Sequence, residues 1–62
     1  MTSGAAMERA FELARSGYYR SVSEILRHLS TEDRPAVEAR LNDHETRRRL
    51  ILACSEAWLA NQ

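Results

Sequence analysis

Apolar side chains return at intervals of three and four residues through most of this sequence, and that spacing dictates helices. Met7, Ala10, Phe11 and Ala14 stand at i, i+3, i+4 and i+7, which is one face of a helix. Glu8, Arg9, Glu12 and Arg15 fill its other sides. Val22, Ile25, Leu26 and Leu29 repeat the pattern, and Ala36, Val37, Arg40 and Leu41 give a shorter version of it. Thr46, Leu50, Ala53, Cys54, Ala57 and Trp58 form the longest stripe, with Ile51, Leu52 and Leu59 beside or behind it. No run alternates apolar and polar residues, and no Asn-Gly pair marks a hairpin. The expected fold class is therefore all-α, a compact bundle of four helices at about residues 5–16, 22–30, 34–41 and 43–59.

The residues between these stripes punctuate them. Gly17 is placed to take the left-handed conformation that ends a helix. Ser21-Val22-Ser23-Glu24 fits a capping box, in which Ser21 accepts from the Glu24 N–H and Glu24 reaches back to Ser21. Four residues, 18–21, join the first two helices, so the two must be neighbours. Pro35 suits a first helical turn, with Thr31 or Asp33 as its cap. Asn42 or Asp43 caps the last helix.

Sixty-two residues make a single small domain, 1–62, with 1–5 and 61–62 expected to fray. One core of this size rarely supplies more than about 3–5 kcal/mol. A lone cysteine allows no internal disulfide, and no Cys/His cluster suggests a metal or other cofactor. Cys54 lies on an apolar stripe and reads as a small hydrophobe. His28 and His44 have no partner at metal-ligand spacing. With no nucleophile beside a base and no glycine-rich phosphate loop, neither an enzyme nor a small-molecule substrate is expected. No apolar run approaches the ~18 residues of a membrane span, and the N-terminus has no secretory pattern. Together with the lone thiol, these features point to the cytoplasm.

Two families share the stretch around residues 16–41. The run Ser21, Val22, Glu24, Ile25 and Leu29, followed by Val37 and Leu41, resembles the helix-turn-helix of bacterial regulators. Residues 16–29, through Ser16, Gly17, Tyr19, Ser21, Ser23, Glu24, Ile25 and Leu26, are similar to the helix–helix corner of ribbon-helix-helix antitoxins. The strand with which that second family reads DNA has no counterpart in the opening MTSGAA. Both resemblances imply a DNA-binding regulator, and the first implies that the third helix enters the major groove.

Nine arginines balance nine acidic residues, so any affinity for nucleic acid must come from local asymmetry. Arg34 and Asn42 are the candidates for phosphate or base-edge contact on the third helix. Arg20 and Arg27 partly offset the acidic Glu32, Asp33 and Glu38 around it. Arg47 and Arg48, within an arginine triplet, are candidate phosphate clamps. Pairing of Asp43 with Arg47 and Glu45 with Arg49 at i, i+4 leaves Arg48 least committed.

The last helix is apolar over most of its circumference from residue 50 to 60. Such a helix is central in its own domain or shared with a partner. Ile51, Leu52, Trp58 and Leu59 are the candidate interface. Two functions follow as expectations. The first is a small helix-turn-helix-like regulator that binds DNA as a homodimer through helix 4. The second is a helical adaptor or inhibitor that presents the apolar side of helix 4 to another protein.

Overall fold

The computed structural model describes residues 3–61, and within them the chain forms four helices and no strand. They are α1 (Ser3–Arg15), α2 (Val22–His28), α3 (Asp33–Arg40) and α4 (His44–Ala60). The order and number match the periodicity, and each end falls within about two residues of the expected one. Residues 3–5, expected to fray, make the first turn of α1. Met1, Thr2 and Gln62 lie outside the described residues. Asn61, expected to fray as well, is tied back: its Nδ2 donates to the Gly17 carbonyl at 3.2 Å.

Local chemistry sets each boundary. Gly17 ends α1 at φ 81°, and a Cβ there would stand 3.1 Å from both the Ala57 carbonyl and Asn61 Cβ. This position therefore needs glycine both for its backbone and for the close approach of α4. The Ser21 hydroxyl accepts from the Glu24 N–H, as a capping box requires. Glu24, however, reaches past Ser21 and accepts from the Arg20 N–H at 3.4 Å. The second helix stops at His28 rather than residue 30, because Leu29 is extended at φ −81°, ψ 153°. That turn releases Ser30 to cap α3: its hydroxyl accepts from the Asp33 N–H at 3.1 Å. Neither Thr31 nor Asp33 fills the cap, since Asp33 is already the first residue of the helix and its carboxylate faces Arg9.

The core is built around α1. Ala6, Met7, Ala10 and Ala14 are buried together with Ile25, Leu29, Val37, Leu50 and Cys54. Alanines at positions 10 and 14 let neighbouring backbones approach closely. The first helix touches all three others, α4 and α3 most extensively, while α3 and α4 meet only marginally. The outer surfaces of α3 and α4 are therefore separate faces of the molecule.

Candidate functional site

On α4 the helical period sorts the apolar residues into two sets. Leu50 and Cys54 turn inward and are buried. Ile51, Leu52 and Leu59 turn outward and are 42 %, 49 % and 70 % exposed. These three and Tyr18 are the large hydrophobic residues exposed among the described residues. The expected interface residues thus share the outer side of α4, with Trp58 half-buried on its flank.

Asp43 starts this helix. The hydroxyl and the backbone N–H of Thr46 donate to its carboxylate at 2.8 and 3.0 Å. Both bonds hold the Asp43 carboxyl below the usual range, the hydroxyl more than the N–H. The expected Asp43–Arg47 pair does not form, because that carboxylate is turned to Thr46. Glu45 does meet Arg49, at 3.7 Å with both side chains mostly in solvent, where screening leaves such a pair little weight. Arg47 and Arg48 are exposed and take part in neither of the two ion pairs found among the described residues.

Two shallow grooves adjoin on this side. One, of about 310 Å³, is lined by His44, Arg47, Arg48, Ile51 and Leu52. The other, of about 280 Å³, lies between α4 and the start of α2 and includes Arg20, Val22, Ile51 and Ser55. Ile51 is common to both, and no carboxylate lines either. The surface therefore offers an apolar floor with arginine at its margins. Cys54 also lines the second groove, but its thiol donates to the Tyr19 carbonyl at 3.1 Å, and burial pushes its pKa up. A thiol kept protonated in this way is a poor nucleophile.

The α3 side is arranged differently. Arg9 holds Asp33 through a two-pronged contact, Nη2 to Oδ1 at 2.6 Å and Nε to Oδ2. The Asp33 side chain is only 12 % exposed, and the Arg9 guanidinium keeps its carboxyl below the usual range. Arg34 is half-buried, and its Nε donates to the Leu26 carbonyl at 3.0 Å, closing the end of α2. This guanidinium, expected to face nucleic acid, is used within the fold. What α3 and its end show to solvent is Pro35, Glu38, Ala39, Arg40 and Asn42.

Arg20, Arg47 and Arg48 thus line the two adjoining grooves, and Arg34 and Asn42 line neither. Arg27 is exposed on α2 and lines neither groove. Sequence reasoning passed over His44, Val22 and Ser55 as surface-forming residues. For α4 the signal was present: His44, Arg48, Ile51 and Ser55 follow i, i+4, i+7, i+11. Contact with Val22 depends on how α2 lies against α4, which no local pattern encodes. Among the described residues no group of three or more His, Cys, Asp or Glu is placed to hold a metal ion, and no helix is long and apolar enough to cross a membrane. No family model, curated protein or solved structure matches the chain.

Proposed function

We propose that this chain is a helical protein-interaction module that docks its partner on the solvent side of α4. The observation that carries this reading is the gathering of three exposed aliphatic residues, Ile51, Leu52 and Leu59, within nine residues of one helix. Exposed apolar side chains gathered on one element mark a candidate docking site. Leu52 and Leu59 stand at i and i+7, a spacing of anchors in helix-to-helix and helix-in-groove contacts.

A photoreactive side chain at Leu52, with a second at Glu38 as control, tests the reading in the native cell. Leu52 is expected to give a discrete protein adduct that Leu59→Glu suppresses, while Glu38 gives none. Absence of any adduct from Leu52, or equal adducts from both positions, would refute it.

DNA binding is the second reading, favoured by one observation: Arg20, Arg47 and Arg48 line adjoining grooves that contain no carboxylate. The α3 surface gives it less support, because Arg34 is engaged with α2 and Glu38 repels phosphate. Retention on duplex DNA that falls steeply between low and high salt, and that Arg48→Ala weakens, would establish this second reading over the first.

A further inference from the structure

Resting on the proposed docking side of α4, we infer that the partner is a second copy of this chain, packed as an antiparallel α4–α4 pair with its two-fold axis at Leu52. Three observations lead there. Arg48 and Glu56 stand four residues before and four residues after Leu52, and all three are exposed. Over i, i+4 and i+8 these positions drift through only about 80° of the helix, so they share one face. Each charge lies about 6 Å along the axis from Leu52, on opposite sides. Around a two-fold axis at that residue, Arg48 of each protomer faces Glu56 of its partner, and Leu52 meets Leu52. This is the self-complementary pattern of an isologous interface. Neither Arg48 nor Glu56 takes part in the ion pairs found among the described residues.

The second observation is charge. The chain is neutral overall, so two copies approach without net repulsion. The third is the core. Three of its nine buried apolar residues are alanines and a fourth is cysteine, and larger side chains such as Phe11, Leu13 and Leu26 are only partly buried against it. Packing Leu52 of each copy against the other adds apolar burial to that core.

Charge reversal tests the register. Arg48→Glu and Glu56→Arg each turn two attractive contacts of the symmetric pair into two repulsive ones. Each is expected to weaken the dimer about tenfold, or ~1.4 kcal/mol, in sedimentation equilibrium, with helicity unchanged by circular dichroism. An equimolar mixture of the two variants should regain the wild-type dimer mass. In the mixed dimer one chain carries two carboxylates and the other two guanidiniums at these positions, so both contacts are attractive. The double variant Arg48→Glu/Glu56→Arg should likewise dimerise alone. A wild-type chain that stays monomeric from micromolar to millimolar concentration overturns the inference, as does a dimer indifferent to the single reversals or a mixture that fails to recover. If Leu52 nevertheless cross-links to a different protein, the second copy is rejected and the docking role of α4 stands.

Discussion

The α3 side and the outer α4 side of this molecule use the same residue types to opposite ends. On the first, charged groups are absorbed into the fold: Arg9 holds Asp33, Arg34 closes α2, and the Ser30 hydroxyl caps α3. On the second, Arg20, Arg47 and Arg48 border two grooves and take part in neither ion pair found among the described residues, and aliphatic side chains stand in solvent between them. The second is the side proposed to receive a partner. Leu50 and Leu52 condense the contrast, being two residues apart on one helix and 0 % and 49 % exposed.

Four changes probe that contrast, in descending order of effect. Leu50→Ala opens a cavity beneath α4 and should cost about 2–5 kcal/mol. That is comparable with the whole stability of a core this small, so thermal melting by circular dichroism should show the variant largely unfolded at 25 °C. The ion pair comes next. The Asp33 carboxyl is held below its ordinary value by Arg9, so the folded state binds that proton less readily than the unfolded state. The stability this confers is complete above the unfolded value of about 4 and fades as pH falls through the lower folded value. Asp33→Asn should lower stability at neutral pH and flatten the acid limb of a denaturation profile, with Glu38→Gln as the inert control. Gly17→Ala places a Cβ at positive φ against α4 and should cost about 1 kcal/mol or more, read as a lower midpoint in urea. Leu52→Ala, in dilute monomer, should move stability by no more than about 0.5 kcal/mol. A large loss there would break the contrast by showing that Leu52 already supports the monomer.

The periodicity of apolar residues was enough to read the four helices, because helix formation and burial follow the same three-to-four spacing. The inward stripe of Leu50 and Cys54 is legible for that reason, and Gly17 and the Ser21 cap are legible from local backbone and side-chain chemistry. The fates of individual charges were not. Arg9 and Asp33 are twenty-four residues apart, and only the packing of α3 on α1 brings them together. Arg34 read as a surface cation because its carbonyl partner lies on another helix. Asp43 has two partners within reach along the chain, and the cap at Thr46 prevailed over the pair with Arg47. The outward set Ile51, Leu52 and Leu59 was visible from the sequence as excess apolar circumference. Its junction with Arg20 and Val22 required the tertiary arrangement.

Two copies of this chain meet on the outer side of α4 in the arrangement inferred above, and methyl resonances followed by NMR as the chain is concentrated report that contact residue by residue. Concentration-dependent shifts are expected at Ile51, Leu52 and Leu59, with Ile25, Val37 and Leu50 unmoved. Constant shifts at all six residues, or changes centred on the α3 surface, would contradict it.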